Sequence, residues 1–166
     1  DYITINISSP NTEGLRDFHK SEMLKVLLKK INDVREKSEF NKSFLLKISP
    51  DLQDEHIGEI ISLITEYKIN GVILTNTTEA SRDSLLNSQK NEKGGLSGAP
   101  LKNISNKIIK KFYSELKGKI PIIGVGGIDS GESAYEKISA GASAIQLYTG
   151  MIYKGPSIVK DIKKEL

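Results

Sequence analysis

Short apolar runs of strand length alternate with longer runs of helical period along all 166 residues. A chain patterned in that way is restricted to a parallel sheet whose successive strands are joined by crossover helices. The strand candidates are residues 2–8, 43–49, 71–75, 120–124 and 144–148. Between them, Leu24, Leu27, Leu28 and Ile31 fall at i, i+3, i+4 and i+7, and Ile57, Ile60, Ile61 and Ile64 repeat the spacing, so each run puts an apolar stripe on one helix face. Ile104, Ile108, Phe112 and Leu116 do so more loosely, with Gly118 placed to stop the helix. Asp129 is placed as the N-cap of a short helix that Gly141 closes. A last helix is predicted from Pro156, a good first-turn residue, to the C-terminus. The fold class is α/β, with residues 1–166 as a single domain, since no linker, repeat or low-complexity tract interrupts the βα pattern.

Charge and cysteine content remove several classes of function. The 24 basic and 21 acidic residues leave a formal net charge of +3, too balanced for the clustered basic surface that binds nucleic acid; Lys29-Lys30 and Lys110-Lys111 fall on polar helix faces. There is no cysteine, which excludes disulfides, zinc thiolate sites and iron–sulfur clusters, so redox chemistry requires a borrowed cofactor. No metal-ligand set is assigned. No apolar run approaches the roughly 20 residues of a membrane-spanning helix. Asp1-Tyr2-Ile3-Thr4-Ile5 reads as a strand already under way, so the chain is expected to be a piece of a longer protein. His19 and His56 stand alone in polar surroundings and are expected at the surface.

Two connections exceed what a strand-to-helix turn needs: residues 9–20, and residues 76–100 with Gly94, Gly95 and Gly98. Long loops in compact α/β domains are usually functional or disordered, and both follow the C-terminal ends of strands, where such folds place ligands. The Gly124-Val125-Gly126-Gly127-Ile128 turn lets backbone N–H groups approach an anion at a helix N-terminus. With the Gln146-Leu147-Tyr148-Thr149-Gly150 strand end one helix later, it supplies the two adjacent loops from which barrels build a phosphate site. Lys47, in Phe44-Leu45-Leu46-Lys47-Ile48-Ser49, is costly to bury without a partner, and on a central strand it implies an anion or an electron-rich ring. Thr75-Asn76-Thr77-Thr78, and Asn6 and Asn11 flanking Ser8-Ser9-Pro10, offer groups that both donate and accept, suiting a planar ligand with imide-like edges. Ser9 has no neighbouring histidine or acid, so a hydrolase triad is not indicated.

These segments, read in order, resemble a family. Asn6-Ile7-Ser8-Ser9-Pro10-Asn11-Thr12 with Gly14-Leu15-Arg16, Lys47-Ile48-Ser49-Pro50-Asp51-Leu52, Thr75-Asn76-Thr77-Thr78, Gly94-Gly95-Leu96-Ser97-Gly98-Ala99-Pro100-Leu101, Ile123-Gly124-Val125-Gly126-Gly127-Ile128 and Gln146-Leu147-Tyr148-Thr149 are similar to class 2, quinone-dependent dihydroorotate dehydrogenases across the whole chain. The resemblance implies a (β/α)8 TIM barrel holding FMN, with this chain as a partial barrel of about the fourth to eighth βα units. It implies an oxidoreductase of pyrimidine biosynthesis that converts dihydroorotate to orotate, hydride passing to FMN and then to quinone.

By that resemblance Ser9 is the catalytic base, and a neutral serine in this role needs activation. Asn6, Asn11, Asn76 and Thr77 would bind the substrate, Asn6 also touching the flavin. Lys47 would stabilise charge on the flavin, Thr75 would help hold its ring, and Gly98, Gly127, Tyr148 and Thr149 would hold its phosphate or ribityl chain. Residues 10–20 would form a lid. Class 1 relatives place cysteine at the base position, and this chain has none.

The family's first barrel strands, and the N-terminal segment through which it docks at a membrane and admits quinone, are not found here. The intact enzyme is expected at a membrane, and the piece alone to be soluble, inactive and prone to associate through open barrel edges. Other FMN-barrel reductases, of dihydropyrimidine or dihydrouridine type, would use cysteine as acid. A non-catalytic phosphate-binding half-barrel is the remaining alternative.

Overall fold

In the computed structural model, which describes residues 1–38, 42–80 and 82–166, all five strand candidates form. Ser81, inside the second long connection, lies outside the described residues. The strands are β1 Tyr2–Asn6, β2 Ser43–Ile48, β3 Gly71–Leu74, β4 Ile122–Val125 and β5 Ala144–Gln146. They stand side by side in chain order, every pair parallel. Crossovers are made by α1 Ser21–Lys37, α2 Glu55–Glu66, α3 Lys102–Leu116 and α4 Gly131–Ser139. β1 ends before residue 8 because the Ser8 N–H turns to the Asn6 side chain, 3.2 Å away, instead of a neighbouring strand.

The period of two along the strands separates two faces. Ile5, Leu46, Ile48, Val72, Leu74 and Ile122 pack with Leu24, Leu28, Ile60, Ile64, Ile109 and Phe112 of the helices into one core. Each such side chain taken fully from water contributes about 1.5–3 kcal/mol. Their neighbours Thr4, Asn6, Leu45, Lys47, Ile73 and Ile123 therefore turn to the opposite face. That face is concave: Gln146 Nε2 of β5 donates to the Tyr2 hydroxyl of β1 at 2.8 Å, although these are the two outermost strands. Only a strongly curled sheet brings its edges within one hydrogen bond, as a barrel wall does.

Several helix ends differ from the sequence expectation. The N-cap of α4 is Ser130, not Asp129, in a reciprocal capping box with Ser133. α3 ends one residue early, Lys117 taking the left-handed conformation at φ 50° before Gly118. The C-terminal region forms two helices, α5 Thr149–Lys154 and α6 Ile158–Glu165. Pro156 lies in the turn between them, and Ile158 and Ile162 bury the α6 stripe against Ile128 and Ala134. Lys137 on α4 is fully buried. Its Nζ donates to Asn106 Oδ1 at 2.6 Å and the Lys102 carbonyl at 3.2 Å, pinning α4 to the start of α3, and burial pulls its pKa down to about 8.

Candidate active site

The C-terminal ends of the strands open into one cavity of about 850 Å³. Lys47 of β2, Thr75, Asn76 and Thr77 after β3, residues 92–101, the turn 125–129 after β4 and residues 147–150 after β5 line it. Of the residues singled out from sequence, Lys47, Thr75, Asn76, Thr77, Gly98, Gly127, Tyr148 and Thr149 lie on this wall; Asn6, Ser9 and Asn11 stand at its rim, outside the lining.

Asn6 joins the wall through a shared hydrogen-bond set. Asn76 Nδ2 donates to Ser8 Oγ at 3.0 Å and lies 3.5 Å from Asn6 Oδ1, while Ser8 Oγ donates to that same oxygen at 2.7 Å. Asn76 Oδ1 accepts the Thr77 N–H at 2.8 Å. Both amides are thus oriented by their acceptor atoms, and the Asn6 Nδ2 donors have no partner among the described residues, which suits a ligand rich in carbonyl oxygens. Ser9 is half-buried, and its Oγ accepts the Asn11 N–H at 3.2 Å. Asn11 leans toward Gly94, and a Cβ on Gly95 would overlap Thr77 and come within 2.8 Å of Pro10. The first long loop, the end of β3 and the glycine bend therefore meet with only glycine's bulk between them.

Lys47 sits in register between Asn6 and Ile73. It is half-buried, desolvation lowers its pKa, and it has neither a hydrogen bond nor an ion pair among the described residues. A desolvated ammonium without a partner is a standing cost that an anionic or electron-rich ligand would offset.

At the far end, Gly126 and Gly127 have φ of 114° and 69°, and a Cβ on Gly127 would lie 2.7 Å from the Lys102 nitrogen. Gly98 approaches Thr149, whose hydroxyl pairs with that of Ser97 at 2.9 Å. The N–H groups of Gly98, Gly126 and Gly127 donate to no described residue. The start of α4 is already satisfied, Gly131 N–H by Glu165 at 2.5 Å, and Asp129 and Ser130 N–H by Ser133 Oγ at 2.9 and 3.0 Å. Open donors remain at the glycine turns and at the start of α5, where the Thr149 and Gly150 N–H groups donate to no described residue.

His19 is also corrected: it is buried. Its Nδ1 bonds the Arg16 carbonyl at 2.9 Å and its Nε2 accepts the Ser49 N–H at 3.1 Å. His56 remains partly exposed. Sequence alone assigns no role to Ser8, Arg16 or Asp51, although all three fall inside the strand-end motifs; a polar side chain held at a fixed place in such a motif is the available signal.

A curled parallel βα sheet with its cavity at the C-terminal strand ends defines an α/β-barrel protein, here a partial barrel. The family model for dihydroorotate dehydrogenase matches residues 1–166, and the chain belongs to the dihydroorotate dehydrogenase family. It is 50% identical to the dihydroorotate dehydrogenase (quinone) of Christiangramia forsetii, over 100% of this chain and 48% of that protein. With the protein of the same name from Psychromonas ingrahamii it shares 52% identity, over 98% of this chain and 49% of that one. The ligand-free dihydroorotate dehydrogenase structure from Eimeria tenella superposes with a TM-score of 0.94 at 39% identity, covering 99% of this chain and 50% of that one; the ferulenol complex from the same organism gives 0.93 at 38% identity, covering 99% and 48%. The chain spans about half the length of the relatives it matches.

Proposed function

We propose that residues 1–166 form one domain, the C-terminal portion of an FMN-binding barrel, and that the intact protein oxidises dihydroorotate to orotate in pyrimidine biosynthesis with quinone as final electron acceptor. The observation that carries this reading is Lys47, a desolvated lysine in the cavity wall with no partner among the described residues. The residues fit the cofactor: among the described residues the glycine turns at 98 and 126–127 leave N–H groups free, and a Cβ at Gly127 would collide with the Lys102 backbone, as in a phosphate cradle.

FMN, when bound, supplies a two-electron acceptor for hydride. Lys47 would face its ring, Thr75 and Asn6 would orient it, and Gly98, Gly127, Tyr148 and Thr149 would hold its phosphate and ribityl chain. Asn6, Asn11, Asn76 and Thr77 would hold the carbonyl and imide edges of the substrate. Ser9 Oγ would take the proton from one ring carbon while hydride leaves its neighbour, so that the two C–H bonds become one C=C bond. Because its Oγ accepts only a backbone N–H, the serine must lose its proton to water or a nearby hydroxyl as it acts. Membrane association of the intact enzyme rests on the quinone named for the relatives, not on a span: among the described residues no helix is long and apolar enough to cross a membrane.

The test is dihydroorotate oxidation by the intact protein that carries this chain. It should be purified with bound flavin, and Ser9→Ala should lower kcat by about 10²–10⁴ near neutral pH. An unchanged kcat in that variant would remove Ser9 from the role of base.

A further inference from the structure

We propose that Arg16 is a positioning residue, a clamp whose guanidinium holds the backbone beside Ser9 and the backbone beside Asn76 and Thr77 in register. The inference rests on the reading of Ser9, Asn76 and Thr77 given above. All three guanidinium nitrogens are committed. Nε donates to the Ser8 carbonyl at 3.3 Å and Nη2 to the Thr77 carbonyl at 3.0 Å. Nη1 donates to Asp51 Oδ2 at 3.0 Å and Glu79 Oε2 at 2.9 Å.

The Ser8 carbonyl belongs to the peptide that leads into Ser9, and Thr77 lines the cavity next to Asn76. One planar group from the first long loop therefore reaches from the end of β1, past β2, to the end of β3. Lysine could not substitute, since a single ammonium lacks the fixed fork that serves separated acceptors. The value of the arrangement is geometric, because exposed ion pairs of this kind add little stability, and misplacing a reacting group by about 1 Å costs on the order of 10²-fold in rate.

Asp51 makes the clamp a network. Its Oδ2 also accepts the Glu79 N–H at 2.8 Å, and its Oδ1 accepts the Thr78 hydroxyl. The Thr78 backbone pairs in turn with Leu96, on the loop that leads to Gly98. The loop root carrying Arg16 is itself fixed, because His19 ties the Arg16 carbonyl to the Ser49 N–H. Leu15–His19 are thus an anchored 3-10 turn, and the part of the predicted lid left outside it shrinks to residues 10–14, ending at Gly14 with φ 71°.

The clamp is tested on the intact enzyme with Arg16→Gln, Arg16→Lys, Arg16→Ala and Asp51→Asn, with Ser9→Ala as reference. Arg16→Gln should lower kcat/KM by at least about tenfold, mostly through kcat, weaken orotate binding followed by flavin absorbance, and speed cleavage after Lys20 by a lysine-specific protease. Arg16→Lys should not recover the loss. Non-denaturing guanidinium should restore Arg16→Ala severalfold, which a defect of fold stability would not show. Asp51→Asn should lose activity at unchanged flavin content and add nothing to Arg16→Gln in the double variant; should the Arg16 variants fail to fold, this variant decides, and wild-type behaviour in it overturns the clamp. If Ser9→Ala is disabling while Arg16→Gln leaves kcat/KM, orotate affinity and loop cleavage unchanged, the clamp is wrong and the site reading stands. If Ser9→Ala is silent, the site reading itself fails. A loss that tracks only a lowered Tm, without guanidinium rescue, also overturns the proposal.

Discussion

His19 is held in one protonation state by its neighbours. Nδ1–H donates to the Arg16 carbonyl and Nε2 accepts from Ser49 N–H, an arrangement that only the neutral ring satisfies. Burial, with the nearby Arg16 and His56, lowers its pKa below 6.5. The sign follows: between the folded value and 6.5 the unfolded chain binds the proton and the folded chain does not, so stability is present above this window and is lost as pH falls through it. Urea unfolding of wild type and His19→Gln at neutral and mildly acid pH should show the wild type losing more, by at most about 1.4 kcal/mol per pH unit. Parallel losses would show that His19 does not titrate with unfolding. Lys47 is perturbed in the same direction for the same first cause but lacks partners, which is why one residue reads as an anchor and the other as a ligand contact.

At the scale of elements, the glycine turn after β4 is where backbone freedom is needed. An alanine at Gly127 would adopt φ 69° and drive its Cβ to within 2.7 Å of the Lys102 backbone nitrogen. The left-handed conformation alone costs roughly 1–2 kcal/mol. Gly127→Ala should therefore destabilise by at least that much in chemical denaturation and empty the intact enzyme of flavin. A Cβ added at Gly58 on α2 would meet nothing within 4 Å, so Gly58→Ala should instead stabilise by about 0.5–1 kcal/mol. A reversed order would refute the account of the turn.

The turn, the five strands and the three long helical stripes were legible in sequence, because period and glycine placement are local signals. The Arg16 network was not, since three of its four partners lie 35, 61 and 63 positions away along the chain. His19 misled because its Nε2 partner, the Ser49 N–H, lies 30 positions away along the chain. The cap of α4 moved by one residue for want of any way to rank Asp129 against Ser130 before the Ser133 contact was known.

At the scale of the whole molecule, the curl that brings Tyr2 to Gln146 gives the sheet a concave inner face with two unpaired edges, β1 and β5. Near those edges Tyr2, Ile3, Tyr148, Ile152 and Tyr153 are exposed. An open parallel edge presents unpaired N–H and C=O groups, and adjacent apolar surface adds a non-directional drive to cover it. The 166-residue chain alone should accordingly show a weight-average mass that rises with concentration in sedimentation equilibrium. Ile3→Lys, which puts a charge on the β1 edge, should shift that rise to higher concentration without changing the helical circular dichroism. The same geometry argues that this chain alone binds FMN weakly, since the concave face is enclosed on one side only. A monomer at all concentrations that titrates FMN tightly and stoichiometrically would mean that these five strands hold the flavin by themselves.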